Sequence, residues 1–177
     1  MLKATERLSR LVDQLLELSQ FESGAIRIAR QDFLVSQIIE DAAADVRPVN
    51  TDVHIVAEVD NGLVGAGDPE RIHEVLTNLL TNAVRHSPAG GEVKVRGAPM
   101  PGCVRIEVSD EGTGVPPDDI ERIFDRFYRV DAARRSGAGG AGLGLAIAPP
   151  IVELHGGSIR AESQKPTGCR IVFDLPS

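Results

Sequence analysis

The stretch from Asp68 to Pro88 constrains the fold more than any other part of the chain. Asp68-Pro69-Glu70 is a helix start, with Asp as cap, Pro in the first turn and an acidic residue behind it. Ile72, Val75, Leu76, Leu79, Leu80, Ala83 and Val84 then keep helical spacing until Ser87-Pro88 stops the run. A stripe that continuous must be covered, so the helix belongs to a layered domain. Glu74, Asn78, Asn82, Arg85 and His86 recur every three or four residues and form a second, polar stripe. Asn is a mediocre helix former, so two on one face need a reason. A solvated face is one. The other is a site in which amide oxygens serve as hard ligands for Mg²⁺ and Arg85 faces phosphate.

Around this helix, helical and alternating segments intermix. Leu8, Leu11, Leu15 and Leu18 follow the three-and-four spacing of a helical seam, which Ser23-Gly24 ends. One helix cannot bury such a seam alone, and we expect it to pair with other helices. Ala25–Ile28 and Phe33–Val35 read as strand, and Ser36 as the cap of a helix to about Val46. Further strands are expected at Val53–Val59, near Leu63-Val64, at Glu92–Arg96 and at Cys103–Ser109. A short helix is expected near Asp118–Phe124 and another before Gly156-Gly157. Strands at Ser158–Glu162 and Cys169–Leu175 close the chain. The order lacks a strict βαβ repeat, so the expected class is α+β: a two-layer sandwich, with three helices on one face of a mixed sheet and an N-terminal helix in front. The expected division is 1–23 and 24–177.

A net charge of -7 argues against a nucleic-acid binder, whose phosphate contacts need clustered basic residues. It leaves room for a nucleotide site, because local fields outweigh the total. With no Trp, one Tyr and five Phe, the core must be aliphatic. Cys103 and Cys169 sit in apolar runs and read as small buried hydrophobes. No signal peptide or long apolar span is visible, so the reading is cytoplasmic, with no membrane segment in the chain.

Two glycine-bearing segments add chemistry. Asp110-Glu111-Gly112-Thr113-Gly114 follows the apolar run Val104–Val108. The carboxylate can accept from an exocyclic amine while the glycines let backbone approach a ring; a turn alone would also explain it. Gly137 to Leu145 is glycine-rich and leads into a helix, where unpaired amides favour anions. It lacks the Gly-Lys-Ser/Thr of a Walker loop, and Leu143 and Leu145 argue against a plain linker. Arg122, Arg126, Arg129, Arg134 and Arg135 lie between the two segments and suit a lid over phosphates.

In order and spacing, these segments resemble the catalytic domain of histidine protein kinases, within the wider group of Hsp90, type II topoisomerase and MutL ATPases. Glu74–Pro88 is similar to the asparagine box, Asp110–Gly114 to the first glycine box, Phe124–Arg129 to the phenylalanine box and Gly140–Leu145 to the second glycine box. Leu154-His155-Gly156-Gly157 matches as well, so the resemblance covers residues 25–177. The first 22 residues resemble the second helix of the kinase dimerisation bundle. The resemblance implies ATP and Mg²⁺ as ligands. Asn82 would hold the metal, Asn78 and Arg85 would serve the phosphates, His86 would stand near the nucleotide, and Asp110 would bind the adenine amine. Gly112, Gly114, Arg126, Arg129, Gly140, Gly142, Leu143 and Gly144 would complete the pocket and lid.

Where ATP-hydrolysing and serine-kinase branches of the group carry a Glu base, this chain has Asn78. An amide takes no proton from water or serine at neutral pH, whereas neutral imidazole already offers a lone pair. The implied reaction is phosphoryl transfer to histidine. His54, His73, His86 and His155 all lack the acceptor context of the family. The expectation is therefore action in trans, on a histidine of a partner or of a missing segment, docked on Leu8, Leu11, Leu15 and Leu18, with a response regulator downstream. Two departures stand out. Pro149-Pro150 falls where a helix should continue, implying a late start or a kink. Ala141 replaces a frequent small hydroxyl residue. They keep open the alternative of a degenerate, non-catalytic nucleotide-binding or interaction module.

Overall fold

The computed structural model describes residues 12, 16, 19–21, 27–49, 52–130, 142–164 and 167–177. Strand β1 (Gln31–Leu34) runs into helix α1 (Val35–Val46), followed by β2 (His54–Val59), β3 (Val64–Gly67) and the long helix α2 (Pro69–His86). The hairpin of β4 (Glu92–Met100) and β5 (Cys103–Asp110) comes next. After single 3₁₀ turns at Pro117–Asp119, Arg122–Phe124 and Leu145–Ile147 follow helix α3 (Ala148–Leu154) and strands β6 (Ser158–Ser163) and β7 (Cys169–Pro176). The main sheet has the order β2-β4-β5-β7-β6, and β1 pairs with β3 in a two-stranded satellite. Only β2 and β4 are parallel, with α2 in the connection between them, so the sheet is mixed as expected.

Period-two patterning decides which face meets the helices. Val93 and Val95 on β4, and Val104, Ile106 and Val108 on β5, are buried. They join Ile171, Phe173 and Leu175 of β7 and the apolar stripes of all three helices in one core. Intervening residues form charged ladders: Lys94 and Arg96 reach Glu58 at 3.1 and 2.7 Å, and Arg105 grips Asp174 with two bonds of 2.7 and 2.8 Å. Exposed pairs such as the first two add little stability. The stripe read on α2 is the buried one, residue for residue, and the Asp68 carboxylate caps it by accepting the Arg71 N–H at 3.3 Å.

The structure departs from the expected elements in several places. Ser36 is not a cap: α1 begins at Val35, whose N–H donates to the Leu63 carbonyl at 3.0 Å, so backbone supplies what a side chain would have. The first strand is Gln31–Leu34, and residues 27–30 are irregular. Pairing stops at Gln31 opposite Gly67 because the partner strand turns into α2, and Ala29 N–H donates instead to Asp68 Oδ2 at 3.0 Å. The segment expected as a helix over Asp118–Phe124 forms two 3₁₀ turns, since so short a run cannot sustain an i→i+4 ladder. Cys169 is buried, its thiol pushed up to about 12 chiefly by desolvation, whereas Cys103 is only half-buried at the hairpin end.

In the N-terminal segment, residues 12, 16 and 19–21 are helical. Phe21 is buried in the domain core, with the Arg71 guanidinium 5.7 Å over its ring. Val12 and Leu16 are exposed. The seam residues Leu8, Leu11, Leu15 and Leu18 lie outside the described residues, as do Arg134, Arg135, Gly140 and Ala141. Among the described residues no helix is long and apolar enough to cross a membrane.

Candidate nucleotide site

Asp110 ends β5 at a position whose alternation points it into the domain, and it is one of two buried polar residues in the described core. Its Oδ1 accepts the Gly112 N–H at 2.8 Å and the Cys169 N–H at 3.3 Å. Among the described residues its Oδ2 takes no hydrogen bond, which leaves one carboxylate oxygen for a ligand donor. Desolvation holds the Asp110 pKa above the ordinary carboxylate value, and the two amides and nearby His86 pull against that rise.

The turn after Asp110 is packed too closely for side chains. A Cβ on Gly112 would lie 2.5 Å from the His86 carbonyl, and one on Gly114 (φ +77°) 3.1 Å from the Gly168 carbonyl. Gly112 thus lets the end of α2 abut the Asp110 turn. His86 lies open to solvent on one side, yet its pKa is lowered, first by desolvation and then by Arg85 and Arg129, with Asp110 opposing. Those couplings bring Arg85, His86, Arg129 and Asp110 into one neighbourhood.

One and two turns earlier on α2 lie the asparagines. Asn78 Nδ2 donates to the Glu74 carbonyl at 3.0 Å, which ties the amide to its own helix. A Cβ on Gly144 would sit 3.3 Å from Asn78 Oδ1, so the second glycine segment closes directly on this residue. The Glu74 carboxylate is held by Arg71 at 2.8 Å. Asn82 is half-buried and makes no side-chain hydrogen bond within the described residues. Its oxygen suits Mg²⁺, which takes one or two protein ligands beside substrate phosphates and water. No cluster of three His, Cys, Asp or Glu exists among the described residues.

The phenylalanine segment is clasped to the second glycine segment, since Phe127 N–H donates to the Gly142 carbonyl at 2.9 Å. Gly142 has φ +73°, and a Cβ there would meet the Tyr128 carbonyl at 2.8 Å. Phe127 is the one non-glycine residue with positive φ (61°) among the described residues, and its ring is exposed. Tyr128 donates to Asp119 at 2.5 Å beneath the Arg122 guanidinium, 4.2 Å from the ring centroid. Arg126 is exposed in the same turn, and Leu143 is buried between its glycines. Sequence reading missed Gly168 and the Cys169 amide. The hint was Thr167-Gly168 at the head of the last strand, in a turn that no periodicity connects to Asp110.

Pro149 and Pro150 resolve as a late start. A 3₁₀ turn leads in, α3 begins at Ala148, and both prolines occupy its first turn, where N–H groups have no helical partner. The penalty of about 3 kcal/mol for an interior proline is avoided. The same prolines remove two amides that a helix start would offer an anion.

A mixed sheet backed by three helices, with glycine turns closing on a buried Asp and an Asn-bearing helix, defines a two-layer α+β domain of the kind that binds ATP. The chain belongs to the family described as histidine kinase-, DNA gyrase B- and HSP90-like ATPases, whose model matches residues 67–177. It is similar to the sensor histidine kinase WalK of Bacillus subtilis (39% identity, covering 97% of this chain and 29% of that protein). The sensor-like histidine kinase SenX3 of Mycolicibacterium smegmatis is 36% identical over 99% of this chain and 46% of its own length. The chain thus spans less than half of these relatives. Among solved structures, full-length ShkA in complex with AMPPNP superposes with a TM-score of 0.87 at 28% identity, covering 98% of this chain and 36% of that one. The mycobacterial sensor histidine kinase MprB gives 0.74 at 30% identity, covering 84% and 97%.

Proposed function

We propose that this domain binds Mg-ATP and transfers its γ-phosphoryl group to a histidine outside residues 24–177, on a partner protein or another segment of a longer kinase. The observation that carries the reading is the pairing of a half-satisfied buried Asp110 with an Asn78 that closes on Gly144. Asp110 Oδ2 accepts the adenine amine, and the glycine turns let backbone flank the ring. Asn82 would hold Mg²⁺, which would supply charge neutralisation at the phosphates. Arg85 and Arg129 add positive charge where phosphates would lie, and with desolvation, the larger cause, they lower the His86 pKa. The acceptor imidazole nitrogen forms a bond to the γ-phosphorus as the bond to the bridging oxygen breaks and ADP departs. Asn78 offers no base, and Glu74 is held by Arg71, which disfavours attack by water. Positioning and electrostatics carry catalysis.

The similarity to sensor kinases supports the kinase reading. One solved relative, the histidine kinase ThkA in complex with the response regulator TrrA, supports a response regulator downstream. ATP as the proposed substrate supports a cytoplasmic location. We assign residues 24–177 to the catalytic domain and 1–23 to a bundle helix, docking the acceptor through Leu8, Leu11, Leu15 and Leu18.

The test is transfer of label from γ-labelled ATP to folded, histidine-bearing helical proteins. Acid-labile, base-stable label on the partner is expected. ATP binding without label on any such partner would favour the non-catalytic module. In Asn82→Ala, the gain that Mg²⁺ gives to ATP affinity is expected to shrink about tenfold while adenosine binding is unchanged, read by calorimetric titration with and without the metal.

A further inference from the structure

At the end of α3 remote from the glycine segment, His155 is buried and 4% exposed. Its Nε2 accepts the Asp68 N–H at 2.9 Å, while Nδ1 lies 2.7 Å from the Ile151 carbonyl. With a backbone N–H aimed at Nε2, the ring proton belongs on Nδ1, where it donates to Ile151. The imidazole therefore bridges its own helix to the start of α2. Gly67 makes room for it, since a Cβ there would lie 2.5 Å from His155 Cδ2. Asp68 is itself fixed twice through its carboxylate, to Arg71 N–H and Ala29 N–H.

These contacts set a register. Going along the chain from residue 144 through α3 to residue 155, the contact on α2 moves from Asn78 back to Asp68, so the two helices run antiparallel, with a close approach near one end and a hydrogen bond near the other. Between these two contacts α3 is a short helix whose buried face is Ala148, Ile151 and Val152. Apolar contact of that kind is non-directional and resists sliding weakly. Pro149 and Pro150 have no N–H to give, so the directional tie lies at His155.

We propose that His155 is a positioning residue for the phosphate side of the site: by accepting the Asp68 N–H it locks α3 along α2 and thereby holds Gly144 against Asn78. The proposal rests on the Mg-ATP reading for its functional consequence, but the lock itself is a property of the free protein. The adenine side, built from Asp110, Gly112 and Cys169, shares none of these bonds.

Three variants test it. His155→Leu keeps an apolar side chain but removes the acceptor. His155→Gln returns an acceptor oxygen near the Nε2 position. Gly67→Ala leaves the imidazole and displaces it. In nucleotide-free protein, the Ala146 and Phe127 amides, which bond to the Leu143 and Gly142 carbonyls, report on the glycine segment by hydrogen exchange. Exchange at both is expected to speed up about tenfold in His155→Leu and Gly67→Ala, from loss of about one buried hydrogen bond, and to return toward wild type in His155→Gln. ATP affinity should fall about tenfold in the first two variants while adenosine affinity holds. Unchanged exchange at Ala146 and Phe127 in both disruptive variants overturns the proposal, and so does an equal loss of ATP and adenosine affinity, the mark of a merely structural residue. If His155→Leu fails to fold, Gly67→Ala carries both arms. If wild-type protein binds no ATP, the nucleotide reading fails and the exchange arm still decides the lock.

Discussion

Asp110→Asn is expected to give a protein more stable than wild type at neutral pH that has lost most of its affinity for ATP. The asparagine can keep its Oδ1 on the Gly112 and Cys169 amides, so the turn survives. Its Nδ2 then replaces the free carboxylate oxygen and sets a donor against the adenine amine. A site that turns an acceptor into a donor loses roughly a hundredfold or more. Inosine triphosphate, with a carbonyl where adenine has its amine, should lose far less, so the ratio of the two affinities reads the Asp110 contact directly. Equal loss for both nucleotides would place Asp110 away from the adenine edge.

The stability half follows from the direction of the pKa. Burial raises Asp110 above its ordinary 3.8, so the folded state binds its proton more readily than the unfolded state. The stability linked to that proton is fully present below the ordinary value and is lost as pH rises through the folded-state pKa. At neutral pH the ionised carboxylate therefore destabilises the fold, and neutral Asn avoids that cost. The gap between variant and wild type, read by urea denaturation across the acid range, should close as pH falls toward 3.8. A gap that widens on acidification would contradict the assignment.

Gly168→Ala is the second large effect, and it is structural first. Gly168 has φ +109°, and a Cβ there would lie 2.1 Å from the Asp110 carbonyl oxygen, a backbone atom that cannot swing away. The β6–β7 turn must then move, and with it the Cys169 N–H that holds Asp110 Oδ1. A cost of about 2–4 kcal/mol in unfolding free energy is expected. ATP affinity should fall in the protein that remains folded. Gly62, also at positive φ but with open space around it, is the control: Gly62→Ala carries backbone strain without a clash. If the two variants lose equal stability, the Asp110 contact is not what makes Gly168 necessary.

Much of this architecture is legible in the sequence. The α2 stripe was readable because a buried helix repeats its apolar residues every three or four positions and Asp68-Pro69 marks its start. The strands on either side of Asp110 announced themselves by alternation. Local signals failed where a distant backbone group did the work. The Leu63 carbonyl takes the place of the cap expected at Ser36, and the turn of β3 into α2 stops the pairing at Gln31, so residues 27 and 28 of the strand expected at Ala25–Ile28 are irregular.

Local patterning is enough to specify the helix that carries Asn78 and Asn82, the Asp at the end of β5, the two glycine segments and the family they belong to. These follow from short-range periodicity and from residue types that only certain chemistry requires. Packing of whole elements brings Gly144 onto Asn78, sets Cys169 and Gly168 from the last hairpin around the Asp110 carboxylate, and ties α3 to Asp68 through His155. Each of these joins residues far apart in the chain through a single hydrogen bond or a close approach. Such contacts leave no period in the sequence, because they depend on where whole elements pack and not on how any one of them is patterned.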